Sequence, residues 1–403
     1  MATKKRKLLF ASLLLAGCSG GESVREMHNY PIYKDGIPFS KELWNTPDSY
    51  EAEEENISEN IKGIYLRSDW NGKESYAFAY LGKPSIKKDS YPAVLLLHGG
   101  AGSAYYQWVE KWTEKGYVAL AVDLEGHVPN KDATLQSMPS ELYRPSEYEA
   151  PHNSNLEDEN EDVTKTWLYY ACKTAIIANS YLHSLEGVDK NQIGVTGVSW
   201  GGFITSIITG YDDRFAFSLP IYCTIGMENS GSPIGEYITN HPSFRIFDSL
   251  KPLQEINTPF HLFVSNCDRF QNPHSASELI KGMKNAGLSI YDKFLHSQAE
   301  ATYLEDPYIF ADRILNKEKE ISIEIKDNKV KISNLGKNNI SFAEIYSSED
   351  VLPSTEALWE KNILDLDSSN EGEIHLETNT QTSCYVSILD DKGVTTSSQV
   401  LKL

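Results

Sequence analysis

The chain has 403 residues, 40% of them apolar and 11% aromatic, which excludes a disordered or fibrous protein and leaves ample sequence for a large core. Its 37 basic residues face 57 acidic ones, a formal charge of −20, and this excludes a nucleic-acid partner because phosphate contacts need a basic footprint. The surplus acid reads as a solubility device.

At the N-terminus, Lys4-Lys5-Arg6-Lys7 precedes the apolar stretch Leu8 to Leu15. That run is too short to span a bilayer and has the layout of a secretory signal. It ends Leu15-Ala16-Gly17-Cys18, which resembles a bacterial lipobox, the pattern whose cysteine is lipidated after cleavage. The expectation is a signal peptide over 1–17, a lipid anchor on Cys18 as the sole membrane contact, and a bacterial cell-envelope location. Ser19 after the cysteine points to the outer membrane or cell surface. Residues 18–60 are polar, carry the acidic cluster Glu51 to Glu55, and read as a tether and a loosely packed arm.

From residue 61 to 315 the pattern is one of strands alternating with helices. Ala93 to Leu97 and Val118 to Val122 are short continuous apolar runs, as parallel strands buried on both faces require. Between them Trp108 and Trp112 share one helical face, and Gly116 is placed to end the helix. A helix over Val163 to Leu185 and strands at Ile193 to Thr196, Phe217 to Tyr222, Phe260 to Val264 and Ile290 to Leu295 continue the rhythm. This predicts an α/β fold with a doubly wound, mostly parallel sheet. Residues 125–161 break the pattern, being rich in Pro, Asn, Glu and Ser and too long for an ordinary connection, so they read as a cap over the site. Residues 316–403 alternate apolar and polar positions, as in Ile321, Ile323 and Ile325, and predict a small antiparallel β-sandwich domain.

The stretch Gly194-Val195-Thr196-Gly197-Val198-Ser199-Trp200-Gly201-Gly202 holds Gly-x-Ser-x-Gly between a predicted strand and a predicted helix. A serine on such a turn stands clear of the sheet, over a helix N-terminus that favours developing negative charge. Ser199 is therefore the candidate nucleophile. His98-Gly99-Gly100-Ala101-Gly102 follows the first buried strand, where glycines let backbone N–H groups face a substrate oxygen; Gly100 or Ala101, with Trp200, are the candidate oxyanion donors. The acid and base should follow in the order Asp, His. Asp268 lies after strand Phe260 to Val264, and His296 after strand Ile290 to Leu295, so these are the candidates. His98 reads as a structural histidine and His274 as a helix-start residue, while Asp212 and Asp213 read as a surface turn beside Arg214. Of the remaining cysteines, Cys172, Cys223, Cys267 and Cys384, none has Cys-x-x-Cys spacing, so no metal is expected; buried free thiols are favoured at Cys172 and Cys223. No cofactor is needed for this chemistry.

These residues resemble the α/β-hydrolase superfamily, in particular its dienelactone-hydrolase and prolyl-oligopeptidase-like branch, and most of all secreted bacterial proteins described as acetyl xylan esterases. The likeness rests on Leu95 to Gly102 running on to Trp108 and Trp112, on Val188-Asp189 through Gly202, and on Asn266-Cys267-Asp268 with Pro273. The tail from Tyr385 to Ser398 is similar to that group's β-rich extension. Two departures stand out: Leu295-His296-Ser297-Gln298 lacks the glycine- and histidine-rich stretch usual at the base, and Ala101 replaces a usual glycine. The resemblance implies a serine hydrolase cleaving carboxylic esters, of the carbohydrate-deacetylating kind. A prolyl-oligopeptidase-like peptidase and a catalytically silent glycan-binding protein remain as alternatives. The C-terminal strands are read as a packing cover, with glycan binding as the other possibility. If 125–161 caps the site, nicking it with a trace of protease should lower turnover of an ester; undiminished turnover after cleavage rejects the cap.

Overall fold

The computed structural model describes residues 36–137, 139–151, 162–350, 352, 356–375 and 381–402. The expected signal peptide, Cys18, residues 19–35 of the arm and residues 152–161 of the insertion lie outside them.

A nine-stranded sheet is the frame on which the loops of interest are mounted. Its members are β1 (Ser49–Glu51), β2 (Ile61–Arg67), β3 (Tyr76–Gly82), β4 (Tyr91–Leu97) and β5 (Val118–Val122). A short separate hairpin, β6 (His127–Pro129) with β7 (Tyr143–Pro145), follows, and the sheet resumes with β8 (Val188–Val198), β9 (Phe217–Ile221), β10 (Phe260–Ser265) and β11 (Ala286–Tyr291). The spatial order is β1-β2-β3-β5-β4-β8-β9-β10-β11. From β5 to β11 neighbouring strands are parallel, while β1, β2 and β3 run antiparallel at one edge. Parallel pairing explains the unbroken apolar runs: Ala93 to Leu97 are at most 1% exposed because helices cover both faces. The chain leaves β4 for β5 on one side and returns to β8 on the other. The strand order thus reverses at the carboxyl ends of β4 and β8, where a crevice opens in sheets of this kind.

The helices follow the apolar patterning. Tyr106–Glu114 buries Trp108, Val109 and Trp112, and Gly116, at φ +93°, turns the chain back into β5. Trp167–Ser184 begins at a cap in which the Thr166 hydroxyl accepts from Tyr169 N–H; the expected first turn, from Val163, is a separate 3-10 turn. The described part of the arm is packed more firmly than its polar composition suggested. Ile37 is buried with its N–H on the Tyr211 hydroxyl, Phe39 stacks on Tyr169, Arg214 lies over Trp44, and β1 extends the sheet. A few widely spaced aromatic anchors hold it, too sparse to give a periodicity.

The described part of the 125–161 insertion lies against the antiparallel edge. Tyr148 packs on Tyr65 and Tyr76, the Ser75 hydroxyl donates to the Glu149 carbonyl, and Arg144 pairs with Glu55.

After helix Asp306–Leu315 the chain builds two antiparallel sheets. One joins β12 (Ser322–Lys326), β13 (Lys329–Ser333) and β16 (Glu371–Glu373); the other joins β14 (Ile340–Ser348), β15 (Glu360–Ile363), β17 (Ser383–Asp390), β18 (Thr395–Ser397) and β19 (Leu401–Lys402). Ile321, Val330, Ile332, Ile345, Val386 and Ile388 form their own apolar cluster. Tyr346, Tyr385 and Val394, however, belong to the main core. β18 docks along β11: Ile290 N–H donates to Ser397 Oγ at 2.9 Å, and Ser289 Oγ donates to the Thr395 carbonyl at 2.6 Å. The C-terminal sheets therefore cover what would be an open edge of the main sheet. The buried Arg313–Asp390 ion pair ties the same junction. Removing one partner strands the other charge, so Arg313→Ala should cost about 3 kcal/mol, read as a lower urea midpoint; an unshifted midpoint would show that the pair does not hold the two parts together.

Candidate active site

β8 runs directly into Ser199, whose backbone sits at φ 56°, ψ −119°, and helix Trp200–Tyr211 starts at the next residue. A non-glycine residue in this region is strained and persists only when its surroundings over-determine it. Two glycines allow the turn to close. A Cβ on Gly197 would lie 2.2 Å from the Gly201 carbonyl oxygen, and one on Gly201 would lie 2.0 Å from that of Leu97. Ser199 N–H donates to the Ile221 carbonyl at 2.9 Å, fixing the turn to the neighbouring strand.

The loops after β10 and β11 bring two side chains to this serine. Asp268, 4% exposed, accepts the Phe270 N–H at 2.7 Å through one oxygen and the His296 Nδ1–H at 2.6 Å through the other. His296 Nε2, left as the acceptor, lies 2.8 Å from Ser199 Oγ. Ser199, His296 and Asp268 thus form one hydrogen-bonded chain from a half-exposed hydroxyl to a buried carboxylate. The expected strand up to Leu295 stops short: β11 ends at Tyr291, Lys293 turns at φ 57°, and His296 sits on a loop. Phe294 and Leu295 read as strand because both are apolar, but Phe294 packs on Tyr222 while Leu295 is 66% exposed. Asn266 holds this loop to the acid loop. Its Oδ1 accepts Lys293 N–H at 3.1 Å, and its Nδ2 donates to Asp292 at 3.3 Å and to Tyr385 of β17 at 3.4 Å.

Of the candidate oxyanion donors, Ala101 is already engaged, its N–H donating to Glu125 Oε1 at 3.0 Å. The N–H groups of Gly100 and Trp200 have no protein acceptor among the described residues. Glu125 is buried, and its hold on the loop was not evident from the sequence, since 24 positions separate it from Ala101. Cys223 is buried and free, and burial pushes its thiol well above the usual range, so it stays protonated. Cys172 and Cys384 are likewise buried and free, and Cys267 is free and exposed.

The other histidines hold structure. His98 accepts the Leu124 N–H at Nε2, 2.9 Å, and donates from Nδ1 to the Gly99 carbonyl, 2.7 Å, so both nitrogens are committed to shaping the oxyanion loop. His274, near the start of helix Pro273–Lys281, contacts Ser383 Oγ at 2.9 Å. Asp212 is buried against Arg214 at 2.7 Å and Asn179 at 2.9 Å. Among the described residues no group of three His, Cys, Asp or Glu side chains is placed to hold a metal ion.

The structure is similar to acetyl xylan esterase 1 from Thermoanaerobacterium sp. JW/SL YS485, with a TM-score of 0.51 at 13% identity, covering 68% of this chain and 92% of that one. The chain has the α/β-hydrolase fold. An acetyl xylan esterase from a Paenibacillus species aligns with this chain at a TM-score of 0.49 and 18% identity, covering 68% and 91% of the two chains. In sequence the chain is 24% identical over 211 residues to the acetyl esterase Axe7A of Xylanibacter ruminicola, covering 51% of this chain and 45% of that one. It is 26% identical over 160 residues to a probable dipeptidyl-peptidase 5 of Emericella nidulans, covering 38% and 19%. The chain thus spans less than half the length of either of these relatives. No family model matches it.

Because the turn at Ser199 depends on bare backbone at Gly201, Gly201→Ala should cost roughly 1–3 kcal/mol through forced displacement. A urea titration reads this as an earlier midpoint, and an unchanged midpoint would show spare room at the turn.

Proposed function

We propose that the protein is a serine hydrolase that cleaves carboxylic esters through an acyl-enzyme, and that its substrates are acetylated carbohydrates at the bacterial cell surface. The single observation that carries the hydrolase reading is the unbroken chain Ser199–His296–Asp268, with 2.8 and 2.6 Å contacts, on a strained strand-to-helix turn. In the reaction Ser199 Oγ attacks the ester carbonyl while His296 Nε2 takes its proton. Asp268 holds the imidazole in the required tautomer and stabilises its charged form. The N–H groups of Gly100 and Trp200 receive the oxyanion. Collapse expels the alcohol, which takes the proton from His296. Water then repeats the sequence on the acyl-enzyme and releases the acid, leaving Ser199 as it began.

The acetyl-carbohydrate assignment is supported by the names of an acetyl esterase and an acetyl xylan esterase among the relatives. A cell-envelope location, through a lipid on Cys18, is supported by the basic and apolar start of the chain and its lipobox-like end. The peptidase reading draws support from the dipeptidyl-peptidase match, over 160 residues.

The test is hydrolysis of p-nitrophenyl acetate by the mature chain, beside a dipeptide p-nitroanilide and acetylated xylan. Ser199→Ala should remove nearly all ester turnover, and Asp268→Asn should lower kcat by about 10⁴ through the wrong imidazole tautomer. Turnover of the anilide in preference to the esters would move the assignment to a peptidase. Folded protein with no turnover of any substrate would leave a surface-binding protein.

A further inference from the structure

We propose that Tyr222 is the positioning residue for the base: its ring carries the His296 imidazole and its hydroxyl ties down the base loop. The inference rests on the Ser199–His296–Asp268 reading above and deepens it.

Tyr222 follows β9 at φ 73°, a conformation in which an aromatic residue is a genuine outlier. Across it, Cys223 N–H donates to the Ile221 carbonyl at 3.0 Å, the i to i+2 bond of the rare, strained γ-turn with positive φ. The strain is over-determined, since Tyr222 N–H donates to the Phe263 carbonyl at 2.7 Å and the side chain is fully buried. The turn sends the Tyr222 ring to the site, where it stacks on His296.

The tyrosine and imidazole rings stack with centroids 4.5 Å apart and planes 29° apart, and Phe294 stacks on the same tyrosine at 4.8 Å. Phe270 meets His296 edge-on at 4.8 Å, with Arg269 over the Phe270 ring. The Tyr222 hydroxyl donates to the carbonyl of Leu295, the residue immediately before the base. Burial holds that phenol protonated, well above the usual tyrosine range, so it is a donor at every working pH. The base loop has no strand or helix between Tyr291 and Gln298, and the bond from Tyr222 ties it to the end of β9. An aromatic face also favours the imidazolium that forms when His296 accepts the serine proton. The titratable groups around this pair include Asp268 from the loop after β10, Tyr291 of β11 and Glu300 from helix Gln298–Tyr303.

The experiment is p-nitrophenyl acetate hydrolysis by the full mature chain, for wild type, Ser199→Ala, Tyr222→Phe and Tyr222→Leu. Tyr222→Phe keeps the ring and loses the hydroxyl, so kcat should fall severalfold while KM stays in place. Tyr222→Leu removes the ring as well. Its kcat should fall further, by about tenfold, the scale of a desolvated cation–π contact, with KM unchanged. A kcat identical to wild type in both variants would overturn the proposal and leave the hydrolase reading intact. So would a loss of kcat/KM carried by KM alone, which is what loosened packing around the substrate produces. If Tyr222→Leu does not fold, Tyr222→Phe decides, and an unchanged kcat rejects the clamp. Wild-type turnover that is absent, or that survives Ser199→Ala, overturns both readings together.

Discussion

One backbone oxygen, the carbonyl of Ile221 at the end of β9, organises this site. It accepts the N–H of Ser199 from one side and that of Cys223 from the other. The first bond fixes the turn that presents the nucleophile, and the second closes the γ-turn that aims Tyr222 at the base. Two strained residues, Ser199 at φ 56° and Tyr222 at φ 73°, are thus held by the same acceptor. Neither conformation is stable by local preference, so both depend on the close contact of β8 and β9 within a sheet whose interior is fully buried.

The remaining parts of the site are built outward from that contact. The helix after Ser199 approaches β4 closely enough that Gly201 must be bare, and the same approach brings the oxyanion loop beside the serine. His98 and Glu125 then fix that loop from behind, through Gly99, Leu124 and Ala101. On the other side Asn266 couples the acid and base loops to each other and to Tyr385 of the C-terminal sheets. The C-terminal strands therefore do more than cover an edge: they reach the loops that carry Asp268 and His296. This shared packing explains why Tyr346, Tyr385 and Val394 count with the main core, while Ile321, Val330 and Val386 form a cluster of their own.

Much of this is written locally. The runs Ala93 to Leu97 and Val118 to Val122 could only be buried parallel strands, and Gly-x-Ser-x-Gly between a strand and a helix names Ser199 by the backbone geometry it requires. Asp268 and His296 were legible by their order and their places after strands. Less legible were the arm, where isolated anchors such as Ile37 and Phe39 give no period, and the end of β11, where Phe294 and Leu295 imitate strand residues. Ala101 was indistinguishable from Gly100 as a donor until the fold set Glu125 against it.

What the sequence determined by itself is therefore the sheet, the turn and the three side chains, Ser199, Asp268 and His296, that the fold joins in one hydrogen-bonded chain, because each follows from periodicity or from its place after a strand. Tertiary structure alone decided which amides stay free, which carboxylate grips the oxyanion loop, and which ring supports the base. Those choices join residues such as Ala101 with Glu125, Tyr222 with Leu295, and Asn266 with Tyr385, separated by 24, 73 and 119 positions. No local pattern encodes such pairs, since each exists only once the strands have paired and brought its two ends together.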